Sequence, residues 1–167
     1  MRDVKNENVK KLVCGVVALG SFGFLLLSAD SFYIGTWKLN VAKSKFAKGH
    51  EAADMTVVVT IKSDTATVTV KGTGGFMGAG KPVSIKYTVP AMGGPLTYLE
   101  GAPPAGIKDA LKFIDERHSD TISTMDGKQI FIEHVVVSAD RKTMIVRESG
   151  VDEKGLPFKA VEAYDRQ

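Results

Sequence analysis

Cysteine is nearly absent from this chain of 167 residues: the one instance, Cys14, falls within the first thirty. From Asp30 onward the chain therefore offers no thiol, no disulfide and no cysteine metal ligand. Lys11, three residues before Cys14, also breaks the apolar context that lipid attachment to a cysteine requires. Basic clusters are equally scarce. Residues 1–29 carry four of the 22 basic and two of the 19 acidic side chains, which leaves 18 against 17 and a formal charge of +1, with no basic run. Nucleic acid is thus not an expected partner.

Ring bases are limited to His50, His118 and His134, and none stands at the spacing of an H-x-x-x-H or H-E-x-x-H metal site. "HSD" at 118–120 is not a catalytic triad, because neighbouring residues on a strand or turn point in different directions. The stretch "GFMGAGKP", Gly75 to Pro82, nearly matches a phosphate-binding loop, but Pro82 replaces the hydroxyl that should hold magnesium. It also joins two alternating segments and so opens no helix whose N-terminus might take a phosphate. No cofactor, metal or catalytic residue is expected, and the chain does not read as an enzyme.

What is present begins with a leader. Arg2, Lys5, Lys10 and Lys11 precede an uncharged run from Leu12 to Ala29. That is the layout of a secretory signal, with cleavage expected near Ala29 and a secreted or periplasmic domain over 30–167. If left uncleaved, a run of about 18 residues would serve as an anchor and be the only membrane contact.

From Asp54 onward the pattern has period two. "MTVVVTIK" places Met55, Val57, Val59 and Ile61 on one face. "TATVTVK" does so with Ala66, Val68 and Val70, and "VSIKYTV" with Val83, Ile85, Tyr87 and Val89. A two-residue "SD" turn separates the first pair. Further strands are expected at 96–100, 110–116, 120–125, 129–138, 143–149 and 158–165, about ten with the opening one. Only Val41–Ala53 and Ile107–Phe113 have room for a helical turn. Many short strands with tight turns predict an all-β, antiparallel up-and-down barrel of about 8–10 strands.

"GTWKLN" at the first strand, then "KSKF", and a terminal "AYDRQ" together resemble the calycins, in particular small secreted bacterial lipocalin-like proteins. The resemblance implies a structural motif in which Trp37 plugs the barrel floor, Gly35 permits close backbone approach, and Arg166 packs across the tryptophan. It also sharpens a difference. Fatty-acid-binding proteins hold a carboxylate with an Arg-x-Tyr pair on the last strand, whereas here Glu162 stands two residues before Tyr164. Segment 41–53 is likewise too short for their helical lid.

The expected function is therefore reversible binding of a small hydrophobic or amphiphilic ligand, without catalysis. The expected ligand-binding residues are Phe76, Met77, Tyr87, Arg147, Glu162 and Tyr164. Phe76 and Met77 would guard the mouth, formed by 41–53, 71–82, 101–109 and 150–156. Arg147, with Lys112 or His134 in reserve, would be the internal cation that satisfies Glu162. The alternative is a filled barrel without ligand, acting through its loops as an envelope or protein interaction module.

Overall fold

The computed structural model describes residues 31–152 and 155–167, apart from the Phe76 side chain. The expected leader, with Cys14 and the cleavage point at Ala29, lies outside the described residues. The described chain forms eleven strands: β1 (Gly35–Leu39), β2 (Asp54–Lys62), β3 (Thr65–Thr73), β4 (Pro82–Pro90), β5 (Gly94–Pro95), β6 (Thr97–Glu100), β7 (Ile107–Phe113), β8 (His118–Met125), β9 (Lys128–Val137), β10 (Thr143–Val151) and β11 (Pro157–Arg166). Two single 3-10 turns, Val41–Lys43 and Gly75–Met77, are the helical content of these residues.

All strands join one antiparallel sheet in the order β5-β7-β8-β9-β10-β11-β1-β2-β3-β4-β6. The sheet's two edges, β5 and β6, are separated in sequence by Leu96 alone, so the short run 94–100 pairs first with β7 and then with β4. This curls the sheet into a nearly closed up-and-down barrel, the arrangement that leaves least edge exposed. Counting 94–100 as one interrupted strand gives the ten expected from the sequence. The helical turn considered for 107–113 is replaced by β7, where Asp109, Leu111 and Phe113 alternate inward against β8.

Local chemistry explains the connections. β2 and β3 are joined by Ser63-Asp64, with Lys62 opposite Thr65 and Ser63 at φ 53°. Asp126-Gly127 joins β8 to β9 with φ of 51° and 74°, the two positive values that a tight hairpin turn demands. β4 begins and ends with proline, at positions where a missing N–H costs no ladder bond in the strand interior.

Segments alternate between two ends. At one, the floor, Trp37 is 0% exposed and its Nε1 donates to the Tyr33 carbonyl at 2.8 Å. The Arg166 guanidinium carbon lies 4.6 Å from the Trp37 ring centroid, and Nη2 donates to the Phe32 and Ile34 carbonyls at 2.8 and 2.6 Å. Gly35, at φ 138°, lies under that guanidinium: a β-carbon there would be 3.4 Å from Arg166 Nε. The backbone angle is what calls for glycine, since a β-carbon would meet the guanidinium only at ordinary contact distance.

At the opposite end, segments 41–53 and 71–82 are tied together. The Ala79 N–H donates to the Gly49 carbonyl at 2.7 Å, and the Ala53 N–H to the Thr73 carbonyl at 3.1 Å. His50 stacks on Phe158 of β11 with centroids 4.4 Å apart.

Candidate functional site

The interior has two unlike walls. Strands β2–β4 turn Met55, Val57, Val59, Ala66, Val68, Val70, Val83, Ile85 and Val89 inward, an apolar surface. Among the described residues, strands β7–β11 hold every buried polar residue except His50: Asp109, Ser119, Thr121, Glu148 and Glu162. Glu133, on the inward parity of β9 with Val135 and Val137, joins them.

The pairing registers bring three glutamates together. Glu148 stands directly opposite Glu133, and Ala160 stands opposite Glu148, so Glu162 is the diagonal neighbour of Glu148 on β11. Directly opposed residues have β-carbons about 5 Å apart and diagonal ones roughly 7–8 Å. Thr121, opposite Glu133 on β8, hydrogen-bonds it. Asp109 lies one strand further on and accepts from the Tyr98 hydroxyl at 2.5 Å. Tyr98 is tilted against Tyr87 of β4, with centroids 5.7 Å apart.

Among the described residues these carboxyls show no ion pair with a basic side chain. Glu162 is 3% exposed; its Oε2 accepts from the Tyr164 hydroxyl at 2.5 Å, while Oε1 has no hydrogen-bond partner within the protein. Glu148 is 6% exposed, and its Oε2 is likewise unpartnered, as is Asp109 Oδ1. Burial pushes Glu133 up to about 7, reinforced by the Glu162 charge. Burial and the Glu162 and Glu133 charges raise Glu148 well above the ordinary carboxyl range, and burial raises Glu162. Desolvation also raises the phenols of Tyr87, Tyr98 and Tyr164. Like charges in a low-dielectric space hold on to protons.

The expected internal cations are elsewhere. Arg147 is exposed on β10, of opposite parity to Glu148, and its registers lead to His134 and Val161 on the outer face. His134 is exposed too and lies 2.7 Å from Asp120; Lys112, opposite Asp120, is exposed on β7. Residues two apart share a face, so Glu148 and Arg147 cannot both point inward. Glu162 is bound by the Tyr164 phenol at Oε2 alone, and no described cation pairs with it.

Of the other expected residues, Tyr87 and Tyr164 line the interior as neighbours of the carboxyls. Met77 is exposed, on the 3-10 turn Gly75–Met77. That turn reaches the acidic wall: a β-carbon on Gly75 would stand 3.4 Å from Glu162 Oε1, and the Gly75 carbonyl is 3.3 Å from His50 Nδ1. The Phe76 side chain lies outside what is described. The histidines divide, since His118 and His134 sit on the surface beside Asp115 and Asp120, whereas His50 is buried.

Among the described residues no group of His, Cys, Asp or Glu is placed to hold a metal ion. Outside the barrel, an open recess of about 400 Å³ is lined by Thr65, Thr88, Val89, Pro90, Pro95 and Thr97, with no titratable group. No protein-family model and no curated protein matches this chain.

Proposed function

We propose that this chain is a lipocalin-like carrier, exported from the cytoplasm, that reversibly holds a small and largely apolar molecule inside its barrel and performs no chemistry on it. One observation supports this reading above the others. Inward residues near the two ends are occluded, among them Trp37, Ala66 and Val89 toward the floor and Met55 and Val83 toward the mouth, whereas Val57, Val68, Val70, Ile85 and Tyr87 between them keep accessible surface. Tyr87 lies deep enough for desolvation to dominate its raised pKa, yet part of it stays accessible, as for a residue lining an enclosed space. Ligand hydrocarbon buried there would contribute about 25 cal/mol per Å2, and the few inward polar groups would orient it.

The second reading, a filled barrel acting through its loops, draws support from Val41, Met77, Val151 and Leu156, large apolar residues exposed in or beside the mouth segments. Native mass spectrometry of protein purified from its own host, followed by solvent extraction, separates the two. A carrier yields a reproducible small molecule that disappears when Ile85→Trp fills the interior. A barrel that yields none, and binds no neutral apolar probe such as decanol, is a filled module.

A further inference from the structure

Resting on the carrier reading, we propose that the ligand is an amphiphilic amine, its ammonium group seated between Glu148 and Glu162 with Glu133 beside them, and its hydrocarbon laid along the apolar wall of β2–β4. Four observations lead there. Three glutamates from adjacent strands converge on one inner wall through their registers. Two of them are more than nine-tenths buried and each presents an oxygen with no partner in the protein. Buried polar atoms are rarely left so, because the unmade hydrogen bond costs free energy. The basic side chains named on these strands, Lys112, His134 and Arg147, face the other way.

The chemistry of the occupant follows from these groups. A carboxylate-headed ligand would add a negative charge to three acids. A bare metal ion does not fit, because no three or more of the described His, Cys, Asp and Glu side chains are placed to hold one. An alcohol can donate only one hydrogen bond. An alkylammonium supplies up to three N–H donors and the positive charge that the wall lacks, while the facing valines and isoleucine accept its chain.

Binding is coupled to protons. Glu148 is faced by Glu133 from β9 and by Glu162 and Tyr164 from β11, while Glu133 is faced by Thr121 from β8, Asp109 from β7, Tyr98 from β6 and Tyr87 from β4; His50 stands nearer the mouth, against Phe158 and the Gly75 carbonyl. Without ligand, burial favours the protonated forms of Glu133, Glu148 and Glu162. An ammonium favours their ionised forms, so its arrival expels protons and its affinity rises with pH.

Competition binding with decylamine, decanol and decanoate tests this on the protein purified from its host, because the three share one chain and differ only at the head. The expected result is decylamine binding at least ~10-fold more tightly than decanol, with decanoate weakest. That preference falls to parity in Glu148→Gln with Glu162→Gln and is reduced in Glu162→Gln alone, decylamine losing more affinity than decanol in each. Fluorescence of the single Trp37, on the floor, reports that each variant is folded. In the unaltered protein, amine affinity falls from about pH 8 to about pH 5, and calorimetry in buffers of different ionisation enthalpy registers proton release. Equal affinity for amine and alcohol overturns the proposal and leaves the carrier intact. An amine preference that survives both substitutions overturns it as well. Failure of all three to bind removes the carrier reading and this proposal together.

Discussion

Strands β2–β4 and strands β7–β11 enclose the same space with opposite chemistry. The first wall turns valine, isoleucine and methionine inward and threonine and lysine outward. The second turns Ser119, Thr121, Glu133 and Glu148 inward and places Ile122 against Ile132, and Val136 against Ile145, on its outer face. Hydrogen-bond ladders hold both walls equally well, so the difference is not needed for folding. A barrel built only for stability has no reason to bury three glutamates, each of which needs a partner or a proton to be tolerated. The apolar wall and the floor carry the fold, and in the proposed carrier the acidic wall would carry the recognition.

The largest effect expected from this division is at the floor. Trp37→Ala should destabilise the protein by about 3–5 kcal/mol, the range for truncating a large buried ring, as read by urea unfolding. It should leave the preference among ligand head groups unchanged, because Trp37 touches Arg166 and Tyr33 and none of the glutamates. A folded Trp37→Ala protein with altered head-group preference would move the site to the floor.

Next is the pH dependence of stability. Glu133 rises from 4.5 to about 7 in the folded state, and Glu148 and Glu162 shift in the same direction. The folded protein then binds more protons than the unfolded chain above 4.5, so stability declines as pH rises from there through neutrality. For Glu133 the loss is on the order of 3 kcal/mol. The lowered exposed carboxylates, Asp115, Asp140 and Asp165, act in the other sense but only as pH falls below their unfolded values near 3.8, outside this window. Thermal unfolding from pH 5 to 8 should follow the decline, and Glu133→Gln should flatten it. A stability that stays flat over that range would place these carboxyls in water.

Substitutions between the walls give a smaller effect. Val68→Thr puts a hydroxyl among apolar neighbours and should cost roughly 1–3 kcal/mol. Glu148→Gln removes a charge from the opposite wall and should be neutral or stabilising at about pH 8, where the unaltered protein must hold that group against its neighbours. Equal costs for the two would erase the distinction between the walls. Smallest of all, Arg147→Ala should change stability by less than about 0.5 kcal/mol and leave ligand affinity untouched, in keeping with its outer position.

The contrast also explains what the sequence made legible. Period-two reading assumes that apolar means inward. The assumption holds in β2–β4, where Met55-Val57-Val59-Ile61 and its two partner strands alternate cleanly. In β8–β10 it fails, because apolar residues occupy both faces and the polar ones include interior groups. Glu162 was still recoverable, since Tyr164 two residues later fixes its face. Glu133 shares parity with Val135 and Val137, and Glu148 with Met144 and Val146, so the signal for their inward position was present; bringing them beside Glu162 required the strand registers. Arg147 lies outside because it alternates with Met144, Val146 and Glu148, a parity that outweighs the charge balance that points it inward. The two-residue β5 has too little pattern to be read, and the link 94–100 that closes the barrel is visible only in the pairing.

The acidic interior is tested most directly by following the side-chain carboxyl carbons of the glutamates by NMR through a pH titration of the ligand-free protein. Glu133, Glu148 and Glu162 should all titrate above the ordinary 4.5, Glu148 well above it and Glu133 near 7, and replacing any one by glutamine should lower the other two. Three independent titrations at the ordinary value would contradict this, because they would mean that these groups face solvent and that the second wall has no recognition site to offer.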